Sequence, residues 1–230
     1  MIMPRPGTQA VSRAVGLLKA FTDARPEWRL ADIAREAGLH RATVHRLLGA
    51  LEREGMIARD ESGELYRLGP EAIALGARAV RATDLRGSAR AELESLARIT
   101  GETATLEVPV GTDMLILDEV LGPALVGATA SLGTRWPMKR TSTGKAVLAA
   151  RRRKPDAESR RGYAVAREEL ERGYSAVGAA ILDAAGVPIA AISVGGPTIR
   201  FPAPRIPKLG AIVRDAATRI SATLGHREPR

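Results

Sequence analysis

The chain contains no cysteine and has three histidines, His40, His45 and His226. Without cysteine there are no disulfides, thiolate zinc sites or cysteine nucleophiles, and three scattered histidines do not favour a metal site. No apolar run approaches the roughly 18 residues that a membrane-spanning helix needs. The first residues also lack the apolar core of a secretion signal. These absences predict a cytoplasmic protein with no metal, no cofactor and no membrane segment, and they remove much enzyme chemistry.

Acidic residues are missing from one stretch although the whole chain is only moderately basic. The net charge is +9. Residues 1–70 carry 11 Lys/Arg and 9 Asp/Glu, whereas residues 71–230 carry 24 and 17. Residues 38–51 hold two arginines, two histidines and a threonine but no acid. The local pattern is therefore stronger evidence for nucleic-acid binding than the global charge, which favours only non-specific attraction.

That stretch lies in residues 30–51, which have the pattern of two short helices joined by a tight turn. Apolar side chains recur at helical spacing, at Leu30, Ile33, Ala34 and Ala37 and then at Val44, Leu47, Leu48 and Leu51. Gly38 between them predicts a left-handed helix stop. The outer face of the second helix carries Arg41, Thr43, His45 and Arg46. This arrangement predicts a helix-turn-helix whose second helix enters a DNA groove.

The flanking segments complete a winged helix-turn-helix. A preceding helix is predicted with its buried stripe at Ala14, Val15, Leu18 and Phe21. After the helix-turn-helix, residues 56–60 and 65–68 flank the turn-rich residues 61–64 and predict a β-hairpin. Three side chains of this wing, Arg59, Tyr66 and Arg67, are candidate phosphate contacts, although each is as consistent with a solvated strand residue.

The remainder of the chain has an α+β pattern. Residues 70–83 predict a linker helix beginning at Pro70, followed by a helix that ends at Gly101. β-type stretches follow at 103–110, 113–120, 124–129, 174–182 and 187–194, with a helix at 141–150 and an amphipathic helix at the C-terminus. Strands joined by short turns predict an antiparallel sheet flanked by helices.

The helix start at Ser142, Thr143, Gly144 and Lys145 has three interpretations. Ser-x-x-Lys spacing occurs in acyl-transfer enzymes, but no Lys-Thr-Gly or Ser-Asp-Asn segment follows. A second interpretation is ligand capture, in which free backbone N–H groups of Ser142, Thr143 and Gly144 hold a carboxylate or another polar group. The third is a tightly packed helix start with no ligand. We therefore predict no catalytic residue.

Four segments resemble the IclR family of bacterial transcriptional regulators. Residues 38–48 resemble its recognition segment Gly-Leu-Pro-Lys-Ser-Thr-Val-His-Arg-Leu-Leu. Residues 141–150, 172–181 and 191–197 resemble, in the same order, three segments of its effector domain. The chain is shorter than the family pattern between Ala150 and Arg161. The resemblance implies a winged helix-turn-helix domain at 1–69, a linker helix at 70–83 and a GAF-like effector-binding domain at 84–230.

The same resemblance implies an effector pocket in the C-terminal domain. Its positions fall on Leu125, Ser142, Thr143, Ala166, Tyr174, Ala176, Ser193 and Gly195, and the adjoining Gly144, Trp136 and Met138 are further candidates. Trp136 and Met138 are equally consistent with plain core. Where small-acid-binding members carry an aspartate, a cysteine and a second serine, this chain has Ala166, Ala176 and Gly195. These departures predict a larger or less polar ligand.

Taken together, the residues and the resemblance predict a DNA-binding transcriptional regulator. The expected partners are a pseudo-palindromic double-stranded operator, a second copy of the chain in a homodimer or homotetramer, and a small-molecule effector that is a carboxylate or an aromatic metabolite. Two other function classes stay open. One is a ligand-binding protein whose helix-turn-helix mediates protein contacts, and the other is an acyl-transfer enzyme using Ser142 and Lys145.

Overall fold

The computed structural model describes residues 8–22, 24–81, 84–122, 132–152 and 157–227. The chain divides into two compact units, Met1–Ala82 and Thr83–Arg230. Within the described residues, no helix combines the length and the apolar character required to cross a bilayer.

Within its described residues, the N-terminal unit contains four helices and a small sheet. The helices are α1 (Thr8–Lys19), α2 (Leu30–Glu36), α3 (Arg41–Arg53) and α4 (Pro70–Arg81), and the strands are β1 (Trp28–Arg29), β2 (Ile57–Arg59) and β3 (Leu65–Leu68). The strands form an antiparallel sheet in the order β1-β3-β2. The predicted winged helix-turn-helix is thereby confirmed, with β1 as an additional strand that the sequence did not predict.

The turn between α2 and α3 follows the predicted chemistry. Gly38 has a φ of 62°, in the left-handed region that glycine adopts without steric cost. The next amide, that of Leu39, donates to the carbonyl of Ala34 at 3.0 Å and the Leu39 side chain packs against the core. The predicted stripe of α1 is partly wrong, because Val15 is exposed and Leu17 is fully buried instead.

In the part of the C-terminal unit that the structure describes, one six-stranded antiparallel sheet forms the centre. Its strands are β4 (Thr103–Val110), β5 (Asp113–Val120), β6 (Arg135–Pro137), β7 (Ala164–Arg167), β8 (Tyr174–Leu182) and β9 (Pro188–Pro197). Its helices are α5 (Asp84–Thr100), α6 (Ser142–Ala150), α7 (Ala157–Arg161) and α8 (Ile206–Thr223), with 3-10 turns at Met138–Arg140, Thr198–Arg200 and Ala203–Arg205. The strand order is β6-β5-β4-β9-β8-β7, so the short β6 and β7 form its edges. The strand predicted at 124–129 lies outside the described residues.

Helices cover both faces of this sheet. Helices α5 and α8 pack on one face and enclose the main hydrophobic core, which includes Leu106, Val177 and Ile192. Helix α6 packs on the other face, against β8 and β9. There, Thr105 of β4, Ser193 of β9 and Gly178 of β8 are directly paired across three strands. A β-carbon at Gly178 would lie 2.8 Å from the Thr143 nitrogen, so this glycine allows α6 to begin directly on the sheet.

Candidate DNA interface and effector cavity

Over residues 41–51, the outer face of α3 presents basic side chains and no acid. Arg41, His45 and Arg46 are exposed and Thr43 is partly exposed, while Val44 on the opposite face is fully buried. The first turn of the helix contains no acidic residue. A helix anchored by its apolar face and basic on the other is suited to contact with a phosphate backbone.

The wing residues divide into an exposed arginine, a paired arginine and a buried tyrosine. Arg67 is exposed. Arg59 forms an ion pair with Glu52 at 3.2 Å, and its guanidinium lies 4.9 Å from the centre of the Tyr66 ring. Tyr66 itself is only 3% exposed and belongs to the core of the unit. The prediction that Tyr66 contacts DNA is therefore wrong, because its side chain presents almost no surface.

A cavity of about 50 Å³ lies in the C-terminal unit, between the first turn of α6 and the strands that face it. Seven residues predicted for the effector pocket line it, namely Trp136, Ser142, Thr143, Ala166, Tyr174, Ala176 and Ser193. The structure thus brings together residues from four strands and one helix that are widely separated in the sequence.

Other predicted pocket residues do not line this cavity. Met138 is buried in a small core cluster with Met114 and Val147. Gly144 packs on the backbone of Met138, and its amide donates to Thr141 Oγ1 at 3.0 Å. The prediction that the Gly144 N–H is free is therefore wrong, because Thr141 caps the helix. Leu125 lies outside the described residues.

Gly195 likewise does not line the cavity, for a steric reason. A β-carbon at this position would overlap the hydroxyl of Tyr174. The missing side chain at 195 therefore accommodates the tyrosine and does not enlarge the pocket. This observation corrects the prediction that losing a serine here favours a larger ligand.

The sequence also missed seven residues that line the cavity, which are Thr105, Glu107, Ile116, Arg140, Thr141, Glu169 and Leu170. Among them, Glu107 is the chemically distinctive one. It is an acid in the otherwise uncharged strand 103–110, and that departure from the apolar pattern was the available signal. Its partners could not be anticipated, because they come from segments distant in the sequence.

The Glu107 carboxylate is 5% exposed and is held by hydroxyl groups. Thr143 Oγ1 donates to Glu107 Oε2 at 2.6 Å and Thr105 Oγ1 donates to Glu107 Oε1 at 2.9 Å. Ser193 Oγ lies 2.8 Å from Thr105 Oγ1 and extends the network. A separation of 2.6 Å is typical of a hydroxyl that bonds to an ionised carboxylate. Because Thr143 is in the first turn of α6, the chain places its own anion near the positive end of the helix dipole.

Burial raises the pKa of two groups that line the cavity, the Glu107 carboxyl and the Tyr174 phenol. Burial raises the pKa of Glu107 above its ordinary 4.5, and the hydrogen bonds from Thr143 and Thr105 offset part of that rise. Burial also raises the pKa of Tyr174, and the nearby carboxylates of Glu107 and Glu119 raise it further. The Tyr174 phenol therefore stays neutral at physiological pH.

Basic side chains at the mouth of the cavity are bonded to β7 and to the loop that follows it. Arg140 donates to the carbonyl oxygens of Glu169 and Leu170. Lys145 Nζ donates to the carbonyl of Val165 at 2.7 Å and pairs with Glu169 Oε1 at 2.8 Å. These contacts give no support to a catalytic Ser142–Lys145 pair, because the lysine amine is held by other groups.

Replacing Glu107 with glutamine should stabilise the unliganded protein at neutral pH by about 1–2 kcal/mol, because the amide keeps the hydrogen-bonding shape without a buried charge. Since the folded-state pKa is raised, the stability that the neutral carboxyl contributes is complete below pH 4.5 and is lost as the pH rises through the raised pKa. Urea unfolding of both proteins across this range should show the variant's advantage disappearing in acid. A constant advantage at every pH would contradict the electrostatic cause.

Models of two protein families match most of the chain. The model described as "IclR helix-turn-helix domain" matches residues 10–61, and "Bacterial transcriptional regulator IclR C-terminal" matches residues 77–159 and 156–222. The chain belongs to the IclR family of bacterial transcriptional regulators. The glycerol operon regulatory protein of Streptomyces coelicolor is 29% identical to it, over 94% of this chain and 96% of that protein.

Solved structures of IclR-family proteins share its fold. A transcriptional regulator from Alicyclobacillus acidocaldarius superposes with a TM-score of 0.81, at 25% identity over 94% of this chain and 99% of that one. An IclR homologue from Microbacterium hydrocarbonoxydans, complexed with 4-hydroxybenzoate, gives a TM-score of 0.80 at 25% identity, over 94% and 98%. This IclR-family chain is thus a transcriptional regulator with an N-terminal DNA-binding domain and a C-terminal effector-binding domain.

Proposed function

We propose that this regulator binds a pseudo-palindromic operator as a homodimer or homotetramer and responds to an effector in the cavity at the start of α6. The domain limits we propose are 1–69 for DNA binding, 70–83 for the linker helix and 84–230 for effector binding. Two-fold symmetry would place recognition helices about one DNA turn, roughly 34 Å, or a multiple of it apart.

The observation that carries the operator proposal is the exposed basic face of α3 over residues 41–51, which contains no acid. We assign Arg41 and Arg46 to base edges or phosphates, and Thr43 and His45 to supporting contacts. The wing would add two phosphate contacts, from Arg67 and from Arg59. Arg59 would exchange its present partner Glu52 for a phosphate.

The effector would act by differential binding. Whichever arrangement of the subunits binds the effector better becomes more populated, and the spacing of the recognition helices changes with it. The predicted ligand class, a carboxylate or an aromatic metabolite, agrees with the 4-hydroxybenzoate bound by the Microbacterium relative. In the present chain, however, the buried Glu107 carboxylate opposes an anionic ligand.

Selection of bound duplexes from a random DNA pool tests the operator proposal. The purified full chain at near-physiological salt should enrich one pseudo-palindromic sequence, because base-edge contacts discriminate between sequences. Recovery of no motif, with binding that weakens steeply as salt rises, would contradict the proposal, since charge attraction alone behaves in that way. That outcome would favour a ligand-binding protein whose helix-turn-helix contacts other proteins.

Replacing Arg46 with alanine should reduce the affinity for the selected operator by about 1–3 kcal/mol and relax specificity at one base pair, if Arg46 bonds to a guanine. Fluorescence anisotropy with the operator and with single-base variants measures both effects. Arg98→Ala is the matched control, because it removes the same charge from an exposed position on α5. Equal losses in the two variants would contradict a contact by Arg46, and uniform weakening on all sequences would reassign Arg46 to a phosphate.

A further inference from the structure

The electrostatic character of the effector cavity is set by Glu107. The carboxylate lies in the cavity wall, 5% exposed, with Thr143 and Thr105 as its hydrogen-bond donors. Both donors are neutral. Among the described residues, no lysine, arginine or histidine forms an ion pair with Glu107. A buried carboxylate with only neutral donors is incompletely compensated, and a cation would compensate it.

The cations near the cavity already have partners. Arg140, the one basic residue among the described lining, donates to two main-chain carbonyls, and Lys145 pairs with Glu169. The charges of Lys145 and Glu169 therefore cancel, while the guanidinium donors of Arg140 are used by neutral carbonyl groups. On the same sheet face as Glu107, Glu119 is paired across the strands with Thr105, and its Oε1 is buried with no hydrogen-bond partner in the described part of the chain. Glu107 and Glu119 thus place two carboxyl groups on this sheet face, and neither forms an ion pair within the described part of the chain.

The remaining lining suits the apolar part of a small cation. Ile116, Ala166, Leu170 and Ala176 supply aliphatic surface. Trp136 supplies an aromatic ring, and indole attracts cations more strongly than the other aromatic rings. The volume of about 50 Å³ is well below the 150 Å³ or so of an engineered cavity that binds benzene, so the unexpanded site holds only a few non-hydrogen atoms.

We propose that this cavity takes a small protonated amine, whose ammonium group donates to Glu107 and whose carbon atoms contact Trp136 and the aliphatic wall. The inference rests on the proposed function, in which this cavity is the effector site. It replaces the expected ligand carboxylate with a cation, because the chain supplies the carboxylate itself. An anionic ligand would have to approach a buried negative charge.

Thermal unfolding of the full chain with three ligands of the same shape tests the proposal. The probes are propylammonium chloride, sodium propionate and 1-propanol, at neutral pH and equal ionic strength. Propylammonium should raise the midpoint in a concentration-dependent way, since a ligand that binds the folded state stabilises it by mass action. Propionate and propanol should not. The proposal is overturned if propylammonium gives no shift, or if propionate or propanol gives an equal one.

Two variants separate the Glu107 contact from general charge attraction. Glu107→Gln should weaken propylammonium binding by about tenfold or more, because a charge-assisted hydrogen bond is about twice as strong as a neutral one. Glu171→Gln is the matched control, since it removes the same charge from an exposed residue that does not line the cavity. It should bind as the unaltered chain does. Equal weakening in both variants would overturn the contact with Glu107.

A DNA measurement distinguishes failure of this inference from failure of the proposed function. Operator affinity is measured by anisotropy with and without propylammonium. A change in affinity that Glu107→Gln abolishes supports both the amine and its regulatory role. If propylammonium stabilises the protein but leaves operator affinity unaltered, the amine site stands and the effector role proposed for the cavity is wrong.

Discussion

Replacing Glu102 with alanine should destabilise the C-terminal unit by about 3–5 kcal/mol, because it leaves two arginines without their shared carboxylate in a partly buried position. Glu102 is 1% exposed. Arg200 donates to it through Nε and Nη2, and Arg205 donates through Nη1 at 3.0 Å. Arg205 also donates to the carbonyl of Thr100 at 2.8 Å. The carboxylate thus joins the turn between α5 and β4 to the segment between β9 and α8.

The large loss of stability expected for Glu102→Ala depends on burial of the carboxylate. A second, more exposed ion pair in the same unit tests this dependence. Glu92 and Arg219 form two hydrogen bonds of 2.7 Å between α5 and α8, but Arg219 is largely exposed. Glu92→Ala should therefore cost at most about 1 kcal/mol. Urea unfolding of both variants gives the comparison, and Glu102→Gln provides a milder change if the alanine variant does not fold. Losses of similar size for Glu92→Ala and Glu102→Ala would refute the role of burial.

Replacing Gly144 with alanine should destabilise the protein by about 3 kcal/mol or more, which is at or above the upper end for inserting a methyl group into a packed interior. A β-carbon at Gly144 would overlap the carbonyl oxygen of Met138 and lie 2.6 Å from its carbonyl carbon. Backbone cannot turn aside as a flexible side chain can. Helix α6 would have to lift from the 3-10 turn Met138–Arg140, and the cap from Thr141 would be disturbed.

Gly87 offers a control with the same chemical change and the opposite expected sign. It lies inside α5, is exposed, and has no described atom within 4 Å of its would-be β-carbon. Gly87→Ala should stabilise the protein by about 0.5–1 kcal/mol, because alanine has the higher helix propensity. Thermal or urea unfolding of the two variants measures the difference. A neutral or stabilising Gly144→Ala would show that α6 adjusts at little cost.

Local patterns were sufficient to predict most of the elements. The repeat of apolar residues and the glycine at 38 predicted α2, α3 and the turn between them, and alternating apolar strands predicted β4, β5, β8 and β9. These features depend on residues close in sequence. The edge strands β6 and β7 were missed, because three or four residues carry too little periodicity to separate a strand from a loop.

Long-range pairing accounts for the errors at the sites. Tyr66 was placed on the DNA surface because its strand was taken as one arm of an isolated hairpin, whereas pairing of Tyr66 with Trp28 of β1 directs both rings into the core. Glu107 was overlooked because its hydrogen-bond network joins residues that are distant in the sequence. Thr143 is 36 positions from Glu107, and Ser193 is 88 positions from Thr105. The residues assigned to DNA contact on α3 stay predictions.

The bonds from Arg140 across the mouth of the cavity bear on how fast a ligand exchanges. Arg140 follows the edge strand β6, and Glu169 and Leu170 follow the opposite edge strand β7. The guanidinium therefore closes the curled sheet into a ring around the cavity. For a ligand that passes this mouth, those bonds have to open first, so both of its rate constants contain the same opening step and change together if Arg140 is altered. Affinity and residence time can then vary independently, so a weakly binding effector can still dissociate slowly from this regulator.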